Sequence, residues 1–221
     1  MFTSPVATLA SLRGRSQWFF PILAAATFSV AVNFYVIQRS GWARLINVAA
    51  QSNAFMDAQA AIQNAIAHPY QIFLFQALAT FLSSLLTVLA AAAVVWLVLV
   101  LCGQDIPFKK VLAVLAYVTA LSVILKGCML ALTTTLIRDL NAFDLRNPLA
   151  TNPAFFLHPR SPVFFRLLSS LDLITFMSLT LIIVGLTKVC IRLRVRLAAA
   201  AVLIPWAIYV CTTLLLPSFL S

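Results

Sequence analysis

The sequence predicts an all-α integral membrane protein with five transmembrane helices. Hydrophobic residues make up 63% of the 221-residue chain and charged residues only 9%, whereas globular domains are about half apolar and about a quarter charged. The mean hydropathy is +1.04. Several apolar runs reach the length of about 20 residues that a helix needs to cross a bilayer. These observations favour a multi-pass membrane protein over a water-soluble domain.

The N-terminal region predicts a short interfacial segment followed by the first span. Ser4 can cap a helix and Pro5 can occupy its first turn, so we expect residues 1–17 to lie at the membrane surface. The apolar run over residues 18–37 is long enough for span one. A cleavable signal peptide is the alternative for this region, because basic residues precede an apolar stretch, although the run is longer than a usual signal core.

Two further spans follow a polar outer segment. Residues 39–70 carry apolar side chains at helical spacing, which predicts a helical hairpin or a surface helix. Residues 72–102 contain neither Gly nor Pro and predict one long, tilted helix. Gly103 ends this run, and residues 111–136 predict span three after a very short connection.

The last two spans are separated by a basic turn. A loop rich in Asn, Asp and Pro covers residues 137–162, and span four is predicted at residues 163–186 and span five at residues 197–216. We find no internal repeat and no soluble domain. Residues 1–221 therefore predict a single membrane domain with short inner connections and two longer outer segments.

The charged residues predict the orientation and the surroundings of the chain. The 15 Lys and Arg residues, which give a net charge of +10, stand mostly at the edges of apolar runs. Such residues contact lipid headgroups, so we expect membrane lipids as partners and no nucleic acid. With the N-terminus inside, eight of the basic residues near spans lie inside and six outside. We therefore predict a cytoplasmic N-terminus and an external C-terminus.

The composition excludes several classes of enzyme. The five acidic residues are all Asp, and without Glu the chain has no HExxH zinc site, no EF-hand and no Glu-based glycosidase pair. The Cys, His and Gly residues form no metal-binding, disulfide or nucleotide-binding pattern. We accordingly predict no catalytic residue, no cofactor and no metal.

Lys126 and Asp172 are the ionisable residues that lie well inside apolar runs, in spans three and four. A charge in lipid is costly, so such residues are candidates for a functional or structural role. Both lie nine or ten positions from the predicted outer surface, or roughly 14 Å at the rise of an α-helix. We expect a buried ion pair that joins two helices. The alternatives are side chains that reach toward headgroups or water, and a proton or substrate path.

Two further features predict contacts within the membrane. Gly127 indicates close approach of another helix, and Thr133, Thr134 and Thr135 are expected to return hydrogen bonds to the helix backbone. The basic turn after span four predicts a contact with anionic headgroups or an acidic partner surface. The residues of this turn are Lys188, Arg192, Arg194 and Arg196.

The order of several short motifs resembles the bacterial branch of the Yip (Rab/Ypt-interacting protein) domain family. The resemblance covers nearly the whole chain. The motifs are Ser4-Pro5, Trp18, Pro21, Gly103, Phe108, Ala116-Tyr117, Leu171-Asp172-Leu173, Leu179, Leu181, Gly185, Asn147-Pro148 and the stretch from Asn152 to Phe156. The chain departs from the family at Ile174 and Met177, where aromatic residues are common. It also lacks the acidic N-terminal extension of eukaryotic members, so we do not expect GTPase binding.

The resemblance implies a five-helix membrane protein without catalysis. Eukaryotic members of the family act in vesicle trafficking and membrane shaping. Bacterial members look like accessory proteins of the inner membrane, some of them associated with ABC-type exporters of the macrolide-exporter kind. We therefore expect a non-enzymatic accessory or scaffold subunit of a bacterial inner membrane, with another membrane protein or a second copy of itself as partner. One alternative is a membrane-shaping homo-oligomer, and another is a small transporter or channel that uses Lys126 and Asp172.

Overall fold

The computed structural model of the chain describes residues 5–12, 17–41, 46, 58–137, 147, 149–157, 162–190 and 193–219. Within these ranges the regular structure is α-helical and contains no β-strand. We number the helices with described bounds in chain order. They are α1 (Pro5–Ser11), α2 (Phe19–Ser40), α3 (Ala58–Ala67), α4 (Pro69–Leu101), α5 (Phe108–Leu136), α6 (Pro153–Leu157), α7 (Pro162–Ser170), α8 (Leu173–Val189) and α9 (Val195–Phe219).

Four of these helices are each long and apolar enough to cross a membrane, namely α2, α4, α5 and α9. The pair α7 and α8 passes the same test when it is counted as one bent span. The predicted class of all-α membrane protein is therefore confirmed. The predicted spans one, two, three and five agree with α2, α4, α5 and α9 to within about one helical turn.

The fourth span differs from the prediction of one helix over residues 163–186. The helix is interrupted at Leu171 and Asp172, and α7 and α8 meet there at an angle of 46°. Asp172 has extended backbone angles and its side chain accepts a hydrogen bond from the Ile174 N–H, so it caps α8. An apolar run reveals no break here, because short polar caps change mean hydropathy very little.

Helix α5 is the centre of the bundle. It packs against α2, α4 and α8, while α9 packs against α4 and α8. The first half of α5 is almost fully buried, from Val111 to Ala116, whereas its second half is largely half-exposed. The hydrophobic core thus lies in the half of the bundle that contains the start of α5, and polar side chains are concentrated in the other half.

The segment α1 belongs to the core half. Leu9 and Leu12 are buried, and Leu9 packs close to Gly185 near the end of α8. The predicted interfacial segment therefore turns its apolar residues into the protein rather than only toward lipid. Arg13 and Arg15, which follow α1, lie outside the described residues.

The short connections lie at one end of the bundle, which we call the α1 end. The connection between α4 and α5 is tied to α4 by the Trp96 indole N–H, which donates to the Ile106 carbonyl at 2.9 Å. At the opposite end, the hydroxyl groups of Tyr35 and Thr135 are hydrogen bonded at 2.7 Å. The Arg39 guanidinium donates to the Thr134 carbonyl nearby. The short connections and the longer segments thus lie at opposite ends of the bundle, as predicted. Which end faces the cytoplasm stays a prediction.

The outer segment 39–70 is helical in the part that the structure describes. Helix α3 packs against α4 and the two helices meet at His68, which is not helical. A surface helix was one of the two predicted forms. Residues 42–45 and 47–57 lie outside the described residues, so the choice between a single helix and a hairpin stays a prediction.

The two contacts predicted around Gly127 are present. A Cβ atom at Gly127 would lie 2.6 Å from the Phe28 ring, so α2 and α5 approach each other closely there. The hydroxyl groups of Thr133, Thr134 and Thr135 each donate to a carbonyl one turn earlier in α5. Both predictions are confirmed, and of the three hydroxyls that of Thr135 also bonds to another helix, through the Tyr35 hydroxyl of α2.

Helices α5 and α8 approach each other closely at Gly185, and its replacement tests the core packing. A Cβ atom there would lie 2.7 Å from Val114 Cγ1 and 3.4 Å from Leu9. Val114 is fully buried and β-branched, so it cannot move away easily. We expect Gly185→Ala to lower the free energy of unfolding in detergent micelles by about 1–3 kcal/mol.

The matched comparison is Gly127→Ala, whose new methyl group meets the partly exposed ring of Phe28. Because that ring can rotate, we expect a smaller loss. Unfolding by sodium dodecyl sulfate, followed by circular dichroism, measures both variants. A Gly185→Ala protein as stable as the native chain would show that α5 and α8 are not closely packed there.

Candidate functional site

The structure brings Lys126 and Asp172 together. Lys126 Nζ on α5 lies 2.6 Å from Asp172 Oδ2 at the junction of α7 and α8. The Asp172 side chain is only 8% exposed, whereas that of Lys126 is 43% exposed. The carboxylate therefore depends on protein partners for its solvation, and the ammonium group keeps access to its surroundings.

The Asp172 carboxylate has several hydrogen-bond donors besides Lys126. The Ile174 N–H donates to Oδ1 at 3.3 Å, and the Thr175 hydroxyl donates to Oδ2 at 3.1 Å. The side chain of Thr151 lies beside this carboxylate and favours its charged form. A buried carboxylate is tolerated when its oxygens are satisfied in this way, and here one side chain both pairs with a cation and caps a helix.

Thr151 belongs to a loop that folds onto the helix junction. Its carbonyl accepts the Leu173 N–H at 2.9 Å, so it satisfies a backbone donor that the start of α8 cannot satisfy internally. Non-helical backbone within a membrane is stable only where the protein or water satisfies its polar groups. The loop therefore allows the fourth span to break.

Two buried asparagines hold this loop in place. The amide groups of Asn147 and Asn152 exchange hydrogen bonds of 3.1 and 2.8 Å, and Asn152 Oδ1 also accepts the Phe155 N–H at the start of α6. Sequence reasoning used the Asn-Pro pattern of this stretch only as part of a family resemblance and missed its contact with Asp172. The usable signal was the presence of two Asn residues that precede Pro, which are typical of turns and helix caps.

A second polar contact joins α5 and α8 one turn closer to the α1 end. The hydroxyl groups of Ser122 and Ser178 lie 2.5 Å apart, and each also bonds to a carbonyl of its own helix. Ser122 is four residues before Lys126 on α5. The ion pair and the serine pair thus form two successive polar contacts along one helix interface.

The two charged residues meet because they lie at the same depth. Asp172 is sixteen residues from Lys188, and Lys126 is sixteen residues from Lys110, so each lies about 24 Å from the α1 end at a helical rise of about 1.5 Å. If Lys110 and Lys188 mark one headgroup boundary of a core about 30 Å thick, the pair is about 6 Å from the other boundary. The sequence estimate of about 14 Å counts from the predicted outer ends of the two spans instead, and the depth of the pair in the bilayer stays a prediction.

The predicted basic turn lies at the α1 end. Lys188, Arg194 and Arg196 are exposed, and Arg192 lies outside the described residues. Lys109 and Lys110 lie in the first turn of α5 at the same end. Among the described residues at this end, the acidic one is Asp105. Within the described residues the salt bridge is that of Lys126 and Asp172, and Lys109, Lys110, Lys188, Arg194 and Arg196 form none there.

The fold and these contacts define a polytopic α-helical membrane protein with an intramembrane ion pair at a broken helix. Among the described residues, no group of three or more His, Cys, Asp or Glu side chains is arranged to hold a metal ion. Comparison with protein-family models, with curated proteins and with solved structures finds no match for this chain.

Substitution of the two charged residues tests the structural role of the ion pair. We expect Lys126→Met to lower the free energy of unfolding by about 1–3 kcal/mol, because it leaves the buried Asp172 carboxylate without its cation. The double variant Lys126→Met/Asp172→Asn should recover part of this loss, since a neutral amide still caps α8. Thermal unfolding of the purified protein in one detergent measures Lys126→Met, Asp172→Asn and the double variant.

The exposed Lys109→Met variant is the control for loss of one positive charge. It should leave the unfolding temperature nearly unchanged. Single variants at Lys126 and Asp172 that are both as stable as the native chain, or a double variant whose loss equals the sum of the single losses, would contradict coupling between the two residues.

Proposed function

We propose that this polytopic membrane protein is a non-enzymatic scaffold or accessory subunit that presents one face of α4 to another membrane-embedded surface. The observation that supports the proposal is the apolar first half of α4, which the described part of the chain leaves largely uncovered. The buried residues of α4, from Val88 to Leu99, all lie in its second half.

The uncovered part of α4 has the form of a helix-packing ridge. Its large apolar side chains recur at every fourth residue and are 47% to 86% exposed. The ridge consists of Tyr70, Leu74, Leu78, Leu82 and Leu86. Rows of side chains at this spacing are those that interdigitate when two helices pack against each other. With 33 residues, α4 is about 50 Å long, which exceeds a hydrocarbon core of about 30 Å.

The packing at the α1 end supports a scaffold more than a transporter. Helix α5 packs against α2, α4 and α8, and in its first half Val111, Ala113 and Val114 have no exposed surface. Transport needs a path that opens to both sides of the membrane in turn. The described residues form no polar path through this half of the bundle, so they do not favour a transporter. The uncovered face of α4, in contrast, favours a scaffold.

The resemblance to the bacterial Yip branch agrees with this proposal and suggests the kind of partner. We propose a bacterial inner membrane as the location, with a cytoplasmic N-terminus, and an ABC-type exporter as the partner. The basic residues Lys188, Arg192, Arg194 and Arg196 would then face anionic headgroups on the cytoplasmic side. A homo-oligomer that shapes the membrane uses the same face of α4, with a second copy as the partner.

Cysteine cross-linking on α4 tests whether its ridge contacts another protein. The background is a chain without its native cysteines at positions 102, 128, 190 and 211. We expect Leu78→Cys and Leu82→Cys to form adducts with another protein in native membranes treated with a bifunctional maleimide. Ile204→Cys on α9 is the matched control, because Ile204 is also apolar and 57% exposed.

The mass of the adduct identifies the partner. An adduct of twice the 24.2 kDa chain indicates a homo-oligomer, and a heavier or lighter adduct identifies a partner by mass spectrometry. Equal cross-linking yields for the cysteine variants at Leu78, Leu82 and Ile204 would mean that the ridge contacts other proteins no more specifically than a lipid-facing helix does. That result would contradict the scaffold proposal.

Charge reversal at the basic turn tests the contact with lipid. We expect the variant with Arg192, Arg194 and Arg196 all replaced by Glu to retain less phosphatidylglycerol than the native chain after purification from mixed phosphatidylglycerol and phosphatidylethanolamine vesicles, because each exposed cation near an anionic surface contributes about 1 kcal/mol. Arg166→Glu at the opposite end of the bundle is the control. Unchanged lipid retention would remove the electrostatic part of the proposal.

A further inference from the structure

A small polar cleft opens between α2 and α5 beside the ion pair. Its volume is about 210 Å³. The polar side chains that line it are Ser29 and Asn33 of α2 and Lys126 of α5. Val32 and Val123 form apolar walls. The cleft therefore combines three hydrogen-bonding groups from two helices within an apolar surface.

Two of the three polar side chains of this cleft have no hydrogen-bond partner among the described residues. In the described part of the chain, neither the Ser29 hydroxyl nor the Asn33 amide makes a hydrogen bond to the protein, although both are half-buried. Lys126 carries three N–H donors, and Asp172 accepts one of them. Polar groups at membrane depth that find no partner are costly, so this cleft is suited to a polar ligand.

We propose that this cleft binds a phosphate group, either as the phosphodiester of a lipid headgroup or as free phosphate. The ammonium, amide and hydroxyl groups of the cleft are hydrogen-bond donors that suit the oxygens of a phosphate. The volume is below the range of about 300–1,000 Å³ that is usual for sites of drug-sized ligands, so it fits a headgroup fragment better than a whole substrate.

The position of the cleft fits phosphate from a membrane lipid. If Lys110 and Lys188 mark one headgroup boundary, Lys126 lies about 6 Å inside the boundary at the opposite end of the bundle. A lysine side chain can span that distance to the level of the headgroups. The apolar walls of Val32, Val123 and Leu149 continue the surface on which an acyl chain would lie.

Asp172 determines how the site binds. It offsets the charge of Lys126 and orients the ammonium group, so the attraction for phosphate depends strongly on the neutral donors. A phosphate held by Asn33, Ser29 and Lys126 would connect α2 to α5 and, through Asp172, to α8. Binding should therefore stabilise the half of the bundle that has few buried apolar contacts, and it should raise the unfolding temperature.

The test measures thermal unfolding of the purified full chain in detergent with three probes. These are a short-chain phosphatidylglycerol, the corresponding diacylglycerol without phosphate, and inorganic phosphate. We expect a saturable rise in the unfolding temperature with the phospholipid and no comparable rise with the diacylglycerol. Asn33→Leu should weaken the phospholipid effect by about tenfold, since it removes hydrogen bonds to a charged group and fills the cleft.

Two further variants make the test specific. Ser29→Ala should weaken binding less than Asn33→Leu, and it serves as the main variant if Asn33→Leu does not fold. Thr27→Val is the matched control on α2, because Thr27 is exposed, bonds to its own helix and does not line the cleft. Thr27→Val should respond to the phospholipid as the native chain does.

Each outcome decides the proposal. A rise with phospholipid alone identifies a headgroup site, and an equal rise with inorganic phosphate identifies a site for free phosphate. The proposal is overturned if neither probe has an effect, if diacylglycerol is as effective as the phospholipid, or if the cleft variants respond in the same way as Thr27→Val.

Discussion

The Asp172 carboxylate is the interaction on which the arrangement of the opposite half of the bundle depends. It caps α8 through the Ile174 N–H and pairs with Lys126 of the central helix, and Thr151 completes the break through its own carbonyl. A membrane helix can be interrupted only where other groups satisfy its free backbone donors. The same carboxylate therefore makes the bend of 46° possible and attaches the bent helix to α5.

The two halves of the bundle are held together by different forces. At the α1 end, close packing around Val114, Gly185 and Leu9 excludes polar groups, and small residues allow the helices to approach. At the opposite end, polar pairs such as Ser122 with Ser178 replace tight apolar contact. Packing in a membrane gains little from the hydrophobic effect, so these polar contacts and the complementary helix surfaces determine which helices meet.

The two ends of the bundle present different surfaces for contact with lipid and with a partner. The α1 end is closed and basic, and it is suited to a charged membrane surface. The opposite end is open in two ways, with the α4 ridge uncovered and a polar cleft between α2 and α5. An accessory protein could thus contact lipid through its charges and its cleft while the ridge contacts a partner, and none of these roles requires a catalytic group.

The sequence by itself predicted a membrane protein of the all-α class and placed four of its apolar helices to within about one turn. It also singled out Lys126 and Asp172 as candidate residues. These features are predictable because hydropathy and isolated charges are properties of single segments. Only the tertiary structure decided that the fourth span is broken, that Thr151 and two asparagines support the break, and that α1 packs into the core. These features depend on which distant residues supply hydrogen bonds and packing surface. Ser29 and Asn33 likewise gain significance only beside Lys126, since a cleft between two helices is a property of neither helix alone.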